Sequence, residues 1–88
     1  MRYIKRNRPF ESIENETLVL ATDQKSIIKL NITAREIWLN CNEKGLEEIV
    51  EYMKQKFLLP DNYYDELKKD CSEMLTYLIE NGLVKVGD

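Results

Sequence analysis

The spacing of apolar residues changes at Asn31, and this change restricts the folds open to the chain. Before it, two short runs rich in aliphatic and β-branched residues, 17–22 and 26–30, are separated by three polar residues. This arrangement predicts a β-hairpin, although its turn lacks an Asn-Gly or Asp-Gly pair. After Asn31 the apolar residues recur about every 3.6 positions, which predicts amphipathic helices. We therefore expect a small sheet followed by helices.

The N-terminal segment is expected to add one more strand, somewhere between Tyr3 and Ile13. Pro9 lies within this segment and has no N–H to donate, so it confines the strand to a sheet edge or splits it. Together with the hairpin, this strand gives a three-stranded antiparallel sheet.

Three helices are predicted after the sheet. The first begins at Thr33, which fits a capping box with Glu36, and its apolar stripe includes Trp38. The second covers about 46–57, with Gly45 as its N-cap and a stripe of apolar residues along one face. Glutamates and lysines occupy the outer face of the second helix, as is typical of a solvated surface.

The third helix is expected to begin at Asp61, as N-cap, and to end at Asn81-Gly82, where Gly can adopt the left-handed conformation. The residues that follow, 83–86, are expected to form a short tail. With 88 residues, 43% of them hydrophobic and 33% charged, the chain is predicted to be a single domain over 1–88. The predicted fold class is α+β and winged-helix-like, with a small three-stranded antiparallel sheet followed by three α-helices.

Residues that commonly carry chemistry are sparse. The chain has no His, which is the commonest metal ligand and general base. Cys41 and Cys71 lack metal-ligand spacing and fall on the apolar faces of predicted helices. We expect them to pack in the core rather than to act as reactive thiols. The sequence therefore predicts no enzymatic activity, no metal and no cofactor.

Charge is unevenly distributed along the chain. The net charge is −3, yet the first ten residues contain four basic residues and no acid. They are Arg2, Lys5, Arg6 and Arg8. This basic end either contacts an anion or is a solvated edge, and the sequence leaves both interpretations open. The N-terminus lacks the apolar run of a secretory signal and the chain has no membrane-length apolar stretch, so we expect a cytoplasmic protein without a membrane partner.

A winged-helix fold also suggests DNA binding, and a winged-helix transcription regulator is the alternative function. A recognition helix must approach phosphates, whereas the third predicted helix is rich in acids. Its acidic residues are Asp65, Glu66, Asp70, Glu73 and Glu80. We therefore expect no nucleic-acid partner, and we expect Trp38 to pack in the core rather than to stack on bases.

One surface favours peptide binding. The strand at 26–30 is expected to be an open sheet edge that can pair with another chain. On the third helix, Leu75 and Ile79 lie beside the core line, with Lys68 and Ser72 beyond them. These residues either form the second wall of a groove or widen the core, and the pattern does not decide between the two.

Several short motifs occur in a fixed order along the chain. They are Leu30-Asn31-x-Thr33-Ala34-x-x-Ile37-Trp38, then Cys41, Glu47-Glu48-Ile49-Val50, Asp70 and Leu78-x-x-Asn81-Gly82-Leu83. Together they resemble the PqqD-like family, the leader-peptide-binding domains called RiPP recognition elements, over about residues 17–86. The chain departs from this family after the first helix, where 42–45 replaces an Asp-Gly pair and Gly45 replaces a Ser or Thr cap.

The resemblance implies that the domain binds the leader of a ribosomally synthesised precursor peptide, added as a strand between the third strand and the third helix. The peptide-binding residues it implies are Ile27, Ile28, Lys29 and Leu30 on the strand, with Lys68, Ser72, Leu75 and Ile79 on the helix. The implied partner is a modifying enzyme, either a radical SAM enzyme or the leader protease of lasso peptides, and Trp38 favours the lasso group. An open edge also permits self-association, so a monomer and a homodimer both remain open.

Overall fold

The computed structural model describes residues 1–87. Its strands are β1 (Arg2–Lys5), β2 (Phe10–Ile13), β3 (Glu16–Leu20), β4 (Ile27–Leu30) and β5 (Val84–Gly87). Its helices are α1 (Ile32–Asn40), α2 (Leu46–Lys56) and α3 (Tyr64–Glu80), with a 3-10 helix, Asp61–Tyr63, directly before α3. The predicted α+β class, with a three-stranded antiparallel sheet followed by three helices, is confirmed.

The three-stranded sheet has the order β2-β3-β4, with every pair antiparallel. The predicted hairpin is β3 and β4, in the register that places Val19 opposite Ile28. Its turn is closed by Asp23, whose carboxylate accepts the backbone N–H groups of Lys25 at 2.8 Å and Ser26 at 3.0 Å. These hydrogen bonds hold the pKa of the Asp23 carboxyl below its usual range. An Asx-type turn thus takes the place of the missing Asn-Gly signal.

A second sheet, of two strands, was not predicted. The N-terminal segment forms two strands rather than one, on either side of Pro9, and β1 pairs antiparallel with β5. The tail expected at 83–86 is therefore mostly strand. Tyr3 lies opposite Val86, and the Arg6 N–H donates to the Leu83 carbonyl at 2.9 Å. The two ends of the described chain are held together by this ribbon.

Trp38 lies at the centre of the core. Its side chain is fully buried, and its indole N–H donates to the Leu83 carbonyl at 3.0 Å. Phe10 and the indole form a T-shaped pair with ring centroids 5.3 Å apart, and the Lys5 ammonium lies 4.5 Å from the centre of the indole ring. Its burial confirms the predicted core position of Trp38. Through these contacts Trp38 also connects α1 to both sheets.

Two helix starts differ from their predictions. Asn31, not Thr33, caps α1, since its side-chain oxygen accepts the Ala34 N–H at 2.8 Å. Asn31 keeps an extended backbone, as an N-cap does, so the first turn of α1 is capped two residues earlier than predicted. Asp61 begins the 3-10 turn and pairs with Lys54, and α3 itself starts only at Tyr64.

The other predicted helix ends are confirmed. Gly45 is the N-cap of α2, and its N–H donates to the Glu48 carboxylate at 3.3 Å. The chain leaves α3 through Asn81 and then Gly82, whose φ of +75° is the left-handed conformation that favours glycine. The winged-helix likeness and the assignment of 1–88 to one domain stay predictions.

Candidate functional site

Strand β4 has one edge that pairs with no other strand of residues 1–87. The Ala21 N–H donates to the Ser26 carbonyl at 2.9 Å, so these two residues are a hydrogen-bonded pair. Such pairs alternate along an antiparallel ladder, and every second residue turns its backbone groups the other way. Ile27 and Lys29 therefore direct their N–H and C=O groups away from β3, toward the open edge.

A groove of about 630 Å³ opens beside Lys29 of β4 and extends over the start of α1 and the facing sides of α2 and α3. Apolar side chains from three helices form much of its surface. Its apolar lining residues are Ala34, Met53, Phe57, Leu59, Leu67, Cys71 and Met74, together with the rings of Tyr63 and Tyr77. Strand β2 is the other outer strand of the sheet, but it contributes nothing to this lining. The groove thus distinguishes the β4 edge from the β2 edge.

Helix α3 approaches β4 near its C-terminal end. Near the middle of the strand, the Tyr77 hydroxyl donates a long hydrogen bond, 3.4 Å, to the outward-facing Lys29 carbonyl. Two residues later in α3, Ile79 lines a smaller cavity of about 380 Å³ together with Ile28 and the turn before β4. Asp70 and Glu73, on earlier turns of α3, line the same groove as Asn31 and Thr33, so they lie toward the Leu30 end of the strand.

The helix wall of the groove is acidic. Asp70 and Glu73 both line it and both are exposed. The ion pairs found within residues 1–87 include neither carboxylate. Among the lining residues, Lys29 on the opposite wall is the one cation. An extended chain in this groove would have carboxylates on its helix side and an ammonium on its strand side.

The four strand residues of the predicted site fall into two pairs. Ile28 and Leu30 are buried and point into the core, whereas Ile27 and Lys29 are exposed, with 56% of Ile27 accessible. The buried side chains of Ile28 and Leu30 anchor β4 in the core. Ile27 and Lys29 carry the backbone N–H and C=O groups that face the open edge.

The four helix residues of the predicted site do not line the groove. Leu75 is only 1% exposed and belongs to the core, and Lys68 forms an ion pair with Glu47 of α2 at 3.8 Å. Ser72 is exposed on the same flank, and Ile79 reaches β4 only at the smaller cavity. Their contact with a peptide stays a prediction, while the groove itself is lined by another face of α3.

Sequence reasoning missed the groove face of α3. This face consists of Leu67, Asp70, Glu73, Met74 and Tyr77. Their spacings of three and four residues place them on one side of a helix, which is a signal that the sequence does contain. Charged and aromatic residues interrupt the apolar pattern on this face of α3, so the sequence alone suggests a solvent-exposed surface.

The two cysteines are structural. Both are free thiols, Cys41 fully buried and Cys71 at 1% exposure, so the predicted core packing is confirmed. Burial raises the pKa of Cys41, and burial together with the nearby Asp70 charge raises the pKa of Cys71 to about 11. Such thiols stay protonated near neutral pH and are poor nucleophiles.

No helix within residues 1–87 combines the length and the apolar character that crossing a bilayer requires. Searches among curated proteins and among solved structures found no match.

The fold and the site define a small α+β domain with an open strand edge beside an apolar groove. The family described as coenzyme PQQ synthesis protein D, PqqD, matches residues 16–84. The chain therefore belongs to the PqqD family, which is the RiPP recognition element family. Members of this family are non-catalytic accessory domains that bind precursor peptides and work with modifying enzymes.

Proposed function

We propose that this domain binds the leader segment of a ribosomally synthesised precursor peptide as an additional strand along β4. The observation that carries the proposal is the outward direction of the backbone groups of Ile27 and Lys29 beside the groove. An extended peptide can pair with these groups while its alternate side chains enter the groove. Ile28 and Leu30 support the interface from below by anchoring β4 in the core.

Backbone pairing alone does not account for binding. The two outward residues offer at most four hydrogen bonds, each worth roughly 0.5–1.5 kcal/mol net. Ordering the peptide costs roughly 1–2 kcal/mol per residue. Burial of apolar leader side chains, at roughly 1.5–3 kcal/mol each, is needed to tip the balance. The groove wall of Met53, Phe57, Leu67 and Met74 supplies the surface for this burial.

The domain is proposed to act in the cytoplasm and to present the bound leader to a modifying enzyme, either a radical SAM enzyme or the leader protease of a lasso peptide pathway. Free thiols at Cys41 and Cys71 support a reducing compartment. With the leader held along β4, the rest of the precursor remains outside the groove and accessible to an enzyme.

The substitution Ile27→Pro tests strand addition. It removes an N–H that faces the open edge and places a ring there, without removing a hydrogen bond of the β3–β4 ladder. We expect the affinity for a leader peptide, taken from a precursor encoded beside this gene, to fall more than about tenfold. Fluorescence anisotropy with the labelled leader measures the affinity, and circular dichroism checks the fold.

The control is Ser12→Pro on β2, which also removes the hydrogen bond between the Ser12 and Thr17 hydroxyls, so circular dichroism checks its fold as well. Phe10 and Ser12 direct their backbone groups away from β3 in the same way, because Leu20 donates to Pro9 at 2.9 Å and fixes the alternation. This variant alters the edge without a groove and should keep wild-type affinity. Equal losses in both variants, or unchanged binding in Ile27→Pro, would contradict strand addition along β4.

A further inference from the structure

The groove has a charge pattern as well as a shape. On the basis of the proposed function, we infer that the leader which fits this groove carries a Lys or Arg just beyond the segment paired with β4, close to a large apolar side chain. The carboxylates of Asp70 and Glu73 select the basic residue, and the adjoining apolar wall holds its neighbour.

The position of the basic residue follows from the direction of α3. Tyr77 marks the point where the helix meets Lys29, and Asp70 lies seven residues earlier in the helix. At 1.5 Å per residue this is about 10.5 Å of helix. An extended peptide covers that distance in about three residues. Glu73, four residues before Tyr77, corresponds in the same way to about 6 Å or about two residues, so a leader paired with β4 reaches Glu73 and Asp70 about two to three residues past Lys29, on the Leu30 side.

Neither carboxylate takes part in an ion pair within residues 1–87. Asp70 and Glu73 are three residues apart on one helix face, where like charges repel. Lys68 is engaged by Glu47, and Lys69 does not come within ion-pairing distance of either acid. A cation brought by a ligand would relieve this repulsion, whereas an acidic leader residue would add to it.

The basic N-terminal segment does not compensate for these acids. Arg8 donates to the carbonyls of Leu20 and Ala21, at 3.0 and 2.7 Å, and Lys5 lies over Trp38. No residue of β1 lines the groove. The four basic residues of the N-terminal segment are therefore not part of the groove lining, and apart from Lys29 on the strand side the leader has to supply the positive charge.

The apolar wall next to the acids favours a cation with a long stem. Met74 lies one position after Glu73 and is partly buried, and Met53 of α2 and Phe57, which follows α2, belong to the same groove lining. The methylene stem of a Lys or Arg can cover Met74 while its charged head stays at the solvated carboxylates. A large apolar leader residue on the same side of the extended chain, two positions away, then faces Met53 and Phe57.

The experiment selects a phage-displayed library of random peptides on the wild-type chain and on the double variant Asp70→Asn/Glu73→Gln. A peptide enriched on the wild type is synthesised with its Lys or Arg intact and with that residue replaced by Gln. We expect this replacement to weaken wild-type binding about two- to fivefold at low salt, and to leave binding to the double variant unchanged. Added salt should reduce the wild-type preference.

The matched control is Asp65→Asn/Glu66→Gln, which makes the same change of charge on α3 outside the groove. It should keep the full preference for the basic peptide. Peptides that lose binding in Ile27→Pro but show no preference for Lys or Arg would overturn this inference and leave the proposed function standing. Enriched peptides that bind Ile27→Pro as well as the wild type would overturn both.

Discussion

At the scale of single residues, Tyr77 occupies the acceptor that an incoming strand would use. Its hydroxyl reaches the Lys29 carbonyl at 3.4 Å, a long and therefore weak hydrogen bond, and 42% of the side chain is exposed. A leader N–H that pairs with Lys29 has to displace this hydroxyl. The ring, in contrast, is part of the groove wall and gains contacts when a peptide binds.

The substitution Tyr77→Phe should therefore strengthen leader binding slightly. It removes the competing hydroxyl and keeps the ring, and the lower end of the hydrogen-bond range, about 0.5 kcal/mol, corresponds to an affinity gain of about twofold. Tyr77→Ala, which also removes the wall, should weaken binding. Calorimetry with the leader peptide distinguishes the two. If Phe weakened binding as much as Ala, the hydroxyl would be a contact to the leader rather than a competitor.

The residues of the site were predictable from the sequence only on the strand side. Alternation along 26–30 places β4 and implies that every second residue faces outward, because a strand repeats every two residues. In a helix, the sequence pattern does not by itself show which side faces a neighbouring element. The core residues Leu67, Cys71, Leu75 and Leu78 define one line on α3, and groove residues can flank it on either side. Which flank faces β4 depends on how α3 is laid against the sheet, which is a tertiary property.

At the scale of elements, the order of strands and helices could be predicted, but two details could not. The capping residue of α1 was ambiguous because Asn31 and Thr33 are both good N-caps, two positions apart. Strand β5 was missed because a run of four residues has little local signal, and its partner β1 lies at the opposite end of the chain. Pairing between distant segments is set by the shared core rather than by local pattern.

The turn between β3 and β4 should make stability depend on acid pH. Hydrogen bonds from Lys25 and Ser26 lower the pKa of Asp23 in the folded state. The stabilisation is therefore present above the unfolded pKa of about 4 and is lost as the pH falls through the lower folded value. Thermal melts between about pH 5 and about pH 2 should show a smaller loss of stability for Asp23→Asn than for the wild type.

The control for this prediction is Asp65→Asn, which removes an acid outside the turn. Between about pH 5 and about pH 2, this variant should lose as much thermal stability as the wild type. Identical pH profiles for the wild type and Asp23→Asn would show that the Asp23 carboxylate does not stabilise the hairpin.

At the scale of the whole molecule, the recognition edge and the chain ends lie on different sheets. The ribbon of β1 and β5 closes the fold, and the sheet of β2, β3 and β4 presents the groove. Trp38 connects them through Phe10 and through the carbonyl of Leu83. The sequence indicated that Trp38 is buried, but the second sheet that it supports became visible only in the structure.

The substitution Trp38→Phe should therefore weaken the whole fold. It leaves a cavity beside Phe10 and removes one of two donors to the Leu83 carbonyl, since the Arg6 N–H remains. We expect a loss of about 1–3 kcal/mol in the free energy of unfolding, measured by urea denaturation. Tyr77→Phe, a surface substitution of the same kind, should leave the urea midpoint unchanged. An unaltered midpoint in Trp38→Phe would show that Trp38 does not couple the two sheets.

The open margin of β4 also raises the question of fibril growth, since a bare strand is a template for copies of itself. Lys29 stands in the middle of this margin and is exposed. Two copies joined antiparallel through β4 would bring their Lys29 ammonium groups directly opposite one another or onto neighbouring diagonal positions, where like charges repel. A foreign peptide without a cation at that position meets no such repulsion. We therefore expect Lys29 to disfavour edge-to-edge pairing between copies of the domain while leaving the edge open to a peptide.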